Sequence, residues 1–549
     1  MLRCVRSHGL VLLFIAALSA SPMVTTAASR VVSIIPRPVQ IEIRDGSYRL
    51  TPATSIVAGK EVSFEGHQLS AMLWPATGFA LQVVEKARAG VPVIELKLDP
   101  ALEKLGEEGY RLSVTPQKVS IRASRPAGIF YACQSLRQLR PPEIFRAARV
   151  ANVEWTIPCV RIEDYPRFRW RGATLDSARH FMPKEFVRKF IDLLALQKMN
   201  TMQWHLTDDQ GWRIEIRKYP RLTEIGAWRK ETLVGRLPDD RTAPLEFDGK
   251  PHGGYYSQDD IREIVEYARA RHVNVVPEIE MPGHAQAARA AYPELGYSGK
   301  SLEVLTKWGV SEEIFSASEK TITFLQDVLT EVMELFPSKF IHTGGDEAVK
   351  TQWKASEEAQ ARIKELGLKN EEELQGYFTR RMDEFLTSKG RRLIGWDEIL
   401  EGGLAPNAVV MSWRGVKGGI AAARAGHDVV MAPTGYTYFD YYQSSNTDKE
   451  PLAIGGYVPL ELVYKYEPIP EELPAEYAKH VLGAQGQLWT EYMPTPKQVE
   501  YMAFPRLAAL AEVTWTPRES KDYQEFLERL STYLIRLGIL DVNYHPPGN

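Results

Sequence analysis

Short apolar segments alternate with longer amphipathic ones from about residue 166 to residue 516, and this alternation limits the possible folds most strongly. Strand-length apolar runs separated by helix-length periodic segments are typical of repeated βα units around a parallel sheet. We predict eight strands, at residues 170–176, 201–206, 273–279, 340–342, 392–396, 408–413, 428–432 and 482–488. Eight such repeats predict an α/β fold, a (β/α)8 TIM barrel over residues 166–516. A doubly wound open sheet is the alternative, but its glycine-rich phosphate-binding fingerprint is absent.

Two further regions flank the predicted barrel. Residues 29–165 combine an alternating hairpin pattern at 110–122 with a helical apolar face at 127–139, which predicts a smaller α+β domain. Residues 517–549 contain one amphipathic segment at 525–537, so we expect a C-terminal helical tail packed on the barrel.

The first 28 residues have the three-part pattern of a secretory signal peptide. Arg3 and Arg6 precede an apolar run at 10–18, and small residues follow, with possible cleavage sites up to Ala28. The apolar run is too short to span a bilayer, so a retained anchor is the weaker alternative. We therefore expect a soluble, exported protein, in the periplasm, in the medium or in a lysosome-like compartment.

Composition excludes some partners and leaves other questions open. The net charge is −3, so there is no basic excess for nucleic-acid phosphates, and no later apolar stretch predicts a membrane span. The oligomeric state stays open, and a homo-oligomer is compatible with the sequence. Cys133 and Cys159 remain after removal of the leader, and the sequence does not say whether they form a disulfide.

Polar and aromatic residues collect directly after the predicted strands, where TIM barrels build their active sites. A single Asp at such a place is more often a helix cap, and a single Trp is usually core. Every one of the eight strands, however, carries such residues at the same end. They include Asp176, Arg179, Asp208, His284, Asp346, Glu347, Trp396, Trp413, Tyr438, Asp440, Trp489 and Glu491.

Two chemistries compete for these residues. His205, Asp208, His284 and His342 could ligate a divalent metal ion, but that reading leaves most of the carboxylates and aromatic residues unused. Glycoside hydrolysis uses them better, because it needs a proton donor, stabilisation of an oxocarbenium ion and aromatic walls for the sugar. We therefore expect no metal ion and no cofactor.

The adjacent pair Asp346-Glu347 is unusual for a glycosidase. It follows Gly344 and Gly345, which let the backbone leave the strand and approach a ligand. Neighbouring carboxylates are poorly placed to flank a glycosidic bond from opposite faces, as the usual two-carboxylate mechanism requires. The nucleophile must then come from elsewhere.

Three motifs resemble glycoside hydrolase family 20, the β-N-acetylhexosaminidases. They are His-Thr-Gly-Gly-Asp-Glu at 342–347, His-Leu-Thr-Asp-Asp-Gln-Gly-Trp-Arg at 205–213 and Pro-Glu-Ile-Glu-Met-Pro-Gly-His at 277–284. The resemblance covers nearly the whole chain after the leader. It implies substrate-assisted catalysis, in which the 2-acetamido group of the substrate attacks the anomeric carbon and gives an oxazolinium intermediate.

The resemblance also implies a role for each site residue. Glu347 would be the general acid and base, Asp346 would orient the acetamido group, and Tyr438 would donate a hydrogen bond to its oxygen. The family's remaining substrate-binding positions fall on Trp396, Trp413, Trp489, Arg179, Asp440 and Glu491. Asp208 and His284 match the dyad that supports the acid from behind.

The expected activity is removal of terminal, non-reducing GlcNAc or GalNAc from glycans or chitooligosaccharides, with retention of configuration. A carbohydrate-binding protein without catalysis and an endo-acting relative are the rival interpretations. The absence of turnover on a chromogenic substrate would favour the first, and oligomeric products would favour the second. Long insertions at 223–258 and 443–474 are expected to shape the region that accepts the rest of the glycan.

Overall fold

A computed structural model describes residues 32–546 except 239 and 241. The predicted signal peptide lies outside the described residues. Within them, Ser33 onward forms one compact unit. None of the described helices is long and apolar enough to cross a membrane.

The N-terminal domain is a seven-stranded mixed sheet. Its strands stand in the order β1-β7-β5-β6-β4-β2-β3. They are β1 Gln40–Arg49, β2 Ser55–Ala58, β3 Gln82–Val84, β4 Val93–Leu98, β5 Tyr110–Val114, β6 Lys118–Ala123 and β7 Thr156–Asp164. Helices Ser63–Thr77 and Pro126–Gln138 pack on this sheet. The predicted hairpin corresponds to β5 and β6, and the predicted helix to Pro126–Gln138.

The eight predicted strands close into a parallel barrel in chain order, β8 to β15, with β15 pairing with β8. They are β8 Trp170–Asp176, β9 Thr201–His205, β10 Asn274–Glu278, β11 Phe340–His342, β12 Arg392–Trp396, β13 Val409–Ser412, β14 Val429–Met431 and β15 Val481–Gly486. Parallel strands covered by helices are expected to be buried on both faces, and these are buried throughout except for a half-buried first residue in β10, β11 and β12. The TIM-barrel prediction is confirmed.

Helices surround the barrel, each with a buried apolar face. In Lys184–Leu196, for example, Phe186, Val187, Phe190 and Leu194 are buried. The other helices of eight or more residues are Gln258–Arg269, Glu319–Leu335, Glu357–Glu365, Glu371–Ser388, Lys417–Arg424, Pro496–Ala503 and Arg506–Trp515. Two pairs of two-residue strands lie between β9 and β10: Thr207–Asp208 with Gly211–Trp212, and Trp228–Arg229 with His252–Gly253.

The C-terminal tail contains one long helix, Tyr523–Ile539, that contacts both domains. Its buried Arg529 forms two hydrogen bonds of 2.7 Å to Glu512 in a barrel helix and one to the carbonyl of Ile34. Arg536 donates to the carbonyl of Gln138 in the N-terminal domain. The sequence pattern anticipated this helix but not its contacts with the N-terminal domain.

Cys133 and Cys159 are both buried, and neither forms a disulfide. The question that the sequence left open is answered for the described chain: the domain packs without a covalent cross-link. Burial raises the pKa of the Cys133 thiol well above its usual range, which keeps it in the unreactive thiol form.

Candidate active site

One pocket of about 170 Å³ opens at the carboxyl ends of the barrel strands. All eleven site residues predicted from the sequence line it, and they come from all eight strand ends. They are Arg179, Asp208, His284, Asp346, Glu347, Trp396, Trp413, Tyr438, Asp440, Trp489 and Glu491. The loops after the parallel strands therefore bring together residues that lie up to 312 positions apart in the chain.

The segment after β11 turns sharply through left-handed backbone. Gly344 and Gly345 have φ of 62° and 98°. A Cβ on Gly344 would lie 1.7 Å from Oε2 of Glu280, so only glycine fits there. Glu347 also has a positive φ, 47°, which is costly for a non-glycine residue and is found mainly at functional sites. This turn presents both Asp346 and Glu347 to one pocket.

The two adjacent carboxylates differ in exposure. The Glu347 side chain is 42% exposed at the pocket mouth, whereas Asp346 is 16% exposed. Oδ1 of Asp346 is buried, and no described protein atom donates a hydrogen bond to it. An inner acceptor and an outer carboxyl group are thus placed side by side.

His284 lies behind both carboxylates. Its Nε2 is 3.5 Å from Oδ2 of Asp346 and 3.6 Å from Oε2 of Glu347, and its Nδ1 is 3.2 Å from Oδ1 of Asp208. Burial opposes a charge on this imidazole, but Asp208 and Asp346 outweigh burial and raise its pKa well above the usual value. A cationic His284 therefore links Asp208 to the carboxylate pair.

Asp208 is fully buried and lies between His284 and Arg179. Arg179 Nη2 lies 2.7 Å from its Oδ2, and His205 Nε2 lies 2.9 Å from the same oxygen. Burial favours the neutral acid, but Arg179 and His284 hold the pKa of Asp208 well below its usual range. Arg179 is thus fixed by a carboxylate, with its guanidinium 5.2 Å from the centre of the Trp489 ring.

Glu278 lies beneath the pocket, inside the barrel, and its two oxygens accept three hydrogen bonds. The donors are Gln203 Nε2 at 2.8 Å, His205 Nδ1 at 2.6 Å and Trp396 Nε1 at 2.9 Å. His342 Nδ1 also lies 2.9 Å from Glu278. Burial opposes its charge, but His342 and His205 hold its pKa well below the usual range. The carboxylate of Glu278 therefore fixes the orientation of Trp396, which lines the pocket.

Four aromatic side chains form the wall of the pocket. Trp396 and Trp489 have ring centres 5.7 Å apart, and Trp413 and Tyr438 stack at 6.1 Å with an interplanar angle of 23°. Burial and Asp440 raise the pKa of Tyr438 well above its usual value, so its hydroxyl keeps its proton. The result is an apolar cage with one hydroxyl donor.

The pocket lining also carries Asp440 and Glu491. Burial and the charge of Glu491 raise the pKa of Asp440 well above its usual range, and burial also raises that of Glu491. Oδ1 of Asp440 is buried without a hydrogen-bond partner among the described residues. These oxygens can receive hydrogen bonds from the hydroxyl groups of a ligand.

Two carboxyl groups near the pocket have perturbed pKa values that sequence reasoning did not anticipate. Burial, together with Asp346 and Glu278, raises the pKa of Glu280 well above its usual range. Burial and Asp346 raise the pKa of Glu398 to about 8, and Glu398 accepts a 2.9 Å hydrogen bond from Nε1 of Trp413. The two residues stand at strand ends in the sequence, but nothing there indicated that they face Asp346.

Groups suitable for a metal ion occur here as well. Asp208, Asp209 and His284 place ligand atoms within 4.8 Å of one another, and so do His284, Asp346 and Glu347. The oxygens of Asp208 already form hydrogen bonds with His205 and His284 and an ion pair with Arg179, so these groups, rather than a metal ion, satisfy them.

The insertions reach the pocket mouth at one point. Ile454, from the segment 443–474, lines the pocket, and so does Tyr441. Of the other tyrosines near the insertions, Tyr256 is buried in the core and Tyr442 holds Arg236 through a 2.7 Å hydrogen bond. No motif in the sequence marks Ile454 as a pocket residue.

Comparison with known proteins identifies a family over most of the chain. The model of the glycosyl hydrolase family 20 catalytic domain matches residues 168–518, and the model of domain 2 of that family matches residues 31–165. Together these two matches span nearly all of the residues that the structure describes.

Individual relatives resemble the chain over most of its length. A beta-hexosaminidase of Porphyromonas gingivalis is 45% identical over 519 residues, which are 94% of this chain and 64% of that protein, so this chain spans less than two thirds of it. A beta-N-acetylhexosaminidase of Cellulomonas fimi is 33% identical over 509 residues, 91% of this chain and 93% of that protein. Among solved structures, a mutant Streptomyces plicatus beta-hexosaminidase in complex with its product GlcNAc has a TM-score of 0.81 and 32% identity, covering 94% of this chain and 97% of that one.

Proposed function

Because the chain belongs to glycosyl hydrolase family 20, we propose that it is an exo-acting, retaining β-N-acetylhexosaminidase that works by substrate-assisted catalysis. Terminal, non-reducing N-acetylhexosamines on glycans or chitooligosaccharides are its substrates. The observation that carries the proposal is the placement of Asp346 and Glu347 side by side, at two depths of one aromatic pocket. That geometry supplies an acid and an orienting acceptor but no second carboxylate across the bond.

Glu347 is the general acid in this proposal. Its exposed position at the mouth faces the leaving group, which must extend out of the pocket. The Glu347 carboxyl protonates the departing glycosidic oxygen, and the resulting carboxylate then activates the water that opens the intermediate. Cationic His284 at 3.6 Å stabilises that carboxylate.

Asp346 holds the nucleophile. Its buried Oδ1 accepts the acetamido N–H, while the hydroxyl of Tyr438 donates to the acetamido oxygen from the other side. These two contacts aim the oxygen at the anomeric carbon, and the negative charge of Asp346 stabilises the positive oxazolinium ring that forms. Nucleophile and carbon then belong to one molecule, and the protein contributes orientation and charge.

Trp396, Trp413 and Trp489 enclose the acetamido methyl group and the apolar sugar face. Their cage excludes water from the site of attack, which strengthens the electrostatic interaction of Asp346 with the forming ring. Arg179, Asp440 and Glu491 bind the outer hydroxyl groups. Because these groups close the inner end of the pocket, only a terminal sugar can enter, which accounts for exo-action.

Hydrolysis of a chitin oligomer with product analysis tests this proposal. We expect release of single N-acetylglucosamine units from the non-reducing end, with the β-configuration retained in the first-formed product. Oligomeric products would contradict exo-action, and binding without any turnover between pH 4 and 9 would contradict enzymatic function.

The leader pattern supports export of the enzyme to meet such glycans outside the cytoplasm. N-terminal sequencing of the protein recovered from its native compartment tests this step. A mature chain that begins near residue 29 agrees with export, and an intact Met1 contradicts it.

A further inference from the structure

A second cavity, of about 490 Å³, lies on the far side of Glu491 from the active-site pocket. It is lined by residues of the insertion after β9 and of the segment after β15, and Glu491 belongs to the linings of both spaces. Its volume falls within the range of small-molecule sites, about 300–1,000 Å³. We call it the His180 cavity; its lining includes His180, His252, Trp308 and Glu491.

Two imidazoles in the lining have defined tautomers. Nδ1 of His180 lies 2.6 Å from the carbonyl oxygen of Thr490, so it must carry the proton, and Nε2 is left as an acceptor. Nε2 of His252 accepts the backbone N–H of Phe181 at 3.1 Å, so its Nδ1 carries the proton and is a donor. No described protein atom bonds to Nε2 of His180 or to Nδ1 of His252.

Both rings are neutral at neutral pH. Burial and the nearby Arg229 lower the pKa of His180 to about 4, and the same two causes lower the pKa of His252 even further. His180 itself is 6% exposed and lines the cavity, so its Nε2 can meet a ligand there.

The ring centres of the two imidazoles are 5.0 Å apart, so a donor and an acceptor stand side by side in the lining. Neighbouring hydroxyl groups of a sugar offer the complementary acceptor and donor. Trp308, which is 4% exposed, also lines the cavity, and its ring centre lies 5.3 Å from that of His180, 6.2 Å from that of Tyr492 and 5.3 Å from the Arg229 guanidinium. Glu491 adds a carboxylate that accepts further hydroxyl protons.

We propose that the His180 cavity is a second carbohydrate-binding site, which takes a neutral sugar unit through His180 Nε2 and His252 Nδ1, next to Trp308. The choice of a sugar rests on the proposed function of the neighbouring pocket. No group in this cavity is placed for acid catalysis on such a sugar, so the site binds and does not cleave. It would hold a glycan close to the active site and raise the local substrate concentration.

Fluorine NMR of the full chain labelled with 5-fluorotryptophan tests the proposal, with N-acetylglucosamine as the probe. The resonances are assigned with the Trp308→Phe and Trp396→Phe variants. We expect the Trp308 resonance to shift with its own saturation curve, separate from that of Trp396. A silent Trp308 at sugar concentrations that saturate the Trp396 shift overturns the second site. A silent Trp396 contradicts the proposed function instead.

Two variants distinguish a sugar bound in the His180 cavity from an effect that a sugar in the active-site pocket transmits through the shared Glu491. His252→Ala removes the donor, and we expect it to weaken the Trp308 response about tenfold while leaving the Trp396 response unchanged. Lys250→Ala changes an exposed residue of the same wall and should leave both responses unchanged. If His252→Ala leaves the Trp308 response intact, the shift only reports the active-site pocket and the proposal is wrong.

Discussion

Two fully buried carboxylates, Asp164 and Glu278, show how similar electrostatics serves different ends in this molecule. Asp164 accepts hydrogen bonds from Tyr110 (2.6 Å), Lys198 (2.7 Å), Trp515 (2.8 Å) and the backbone of Val39 (3.0 Å). Glu278 likewise accepts hydrogen bonds from Gln203, His205 and Trp396, and it lies 2.9 Å from Nδ1 of His342. Each charge is compensated in the way that burial requires.

The two carboxylates differ in which parts of the molecule their hydrogen-bond partners connect. The partners of Asp164 join the N-terminal sheet to the barrel, and none of them lines the active-site pocket. One partner of Glu278, His205, also contacts Asp208, and Asp208 contacts His284. His284 in turn lies next to the carboxylate pair Asp346 and Glu347. A buried charge network therefore contributes to catalysis only when it ends at a cavity, and otherwise it contributes to stability.

The largest expected effect comes from Glu347, at the end of the Glu278 network that reaches the active-site pocket. Glu347→Gln removes the proton donor, so we expect hydrolysis of an N-acetylglucosaminide with a poor leaving group to slow by about 10²–10⁴-fold. The midpoint of thermal unfolding should stay unchanged, because this side chain is 42% exposed and makes one long contact. A substrate whose leaving group needs no protonation is the control and should lose less. Equal losses on both substrates would remove Glu347 from the role of acid.

Asp164→Ala should be the opposite case, with a large loss of stability and little effect on catalysis. It leaves the Lys198 ammonium buried without its partner, which costs about 3–5 kcal/mol in the free energy of unfolding. Urea denaturation measures this loss, and turnover per folded molecule should remain that of the wild type. The double variant Asp164→Ala/Lys198→Met removes both charges and should recover part of the stability. A turnover that falls with the single variant would break the comparison.

Glu278→Gln should affect both properties. The charge that holds two histidines and Trp396 is lost, and a misplacement of about 1 Å at the reacting group costs on the order of 10²-fold in rate. We expect kcat to fall more than KM rises, with a changed pH profile because His205 and Asp208 share a proton network with the pocket. An unchanged pH profile would show that Glu278 only supports the fold.

The smallest effect should come from Glu398. Its folded pKa of about 8 lies above the usual value, so its contribution to stability is full below about pH 4.5 and is lost as the pH rises through about 8. Glu398→Gln cannot ionise, so it should match the wild type in thermal unfolding near pH 4.5 and exceed it slightly near pH 8.5. Parallel curves at both pH values would contradict the shifted pKa.

The periodicity of the chain was enough to predict the barrel, because burial on both faces forces each strand to be an apolar run. The predicted strand ends agree with the structure to within two residues, as in 273–279 against Asn274–Glu278. The site residues could be named because loops after parallel strands converge. The contacts of helix Tyr523–Ile539 with the N-terminal domain could not be predicted, since an amphipathic pattern specifies a buried face but not its partner.

The electrostatics of the site were beyond the sequence for a similar reason. Nothing local indicates that Glu278 binds two histidines from different strands, or that Glu280 and Glu398 face Asp346, because the pKa of a group depends on distances set by the closed barrel. The left-handed backbone of Glu347 and His284 is likewise imposed by packing. The tautomers of His180 and His252 could not be predicted either, because they depend on hydrogen bonds with Thr490 and Phe181.

The central claim is that the acetamido group of the substrate, and not a carboxylate of the protein, attacks the anomeric carbon. The most direct measurement compares kcat/KM for a nitrophenyl N-acetyl-β-glucosaminide and for the matching β-glucoside, which lacks the acetamido group. We predict a preference of several orders of magnitude for the N-acetylated sugar, which Asp346→Asn should largely abolish by slowing that substrate alone. Comparable hydrolysis of the plain glucoside by the wild type would contradict the account.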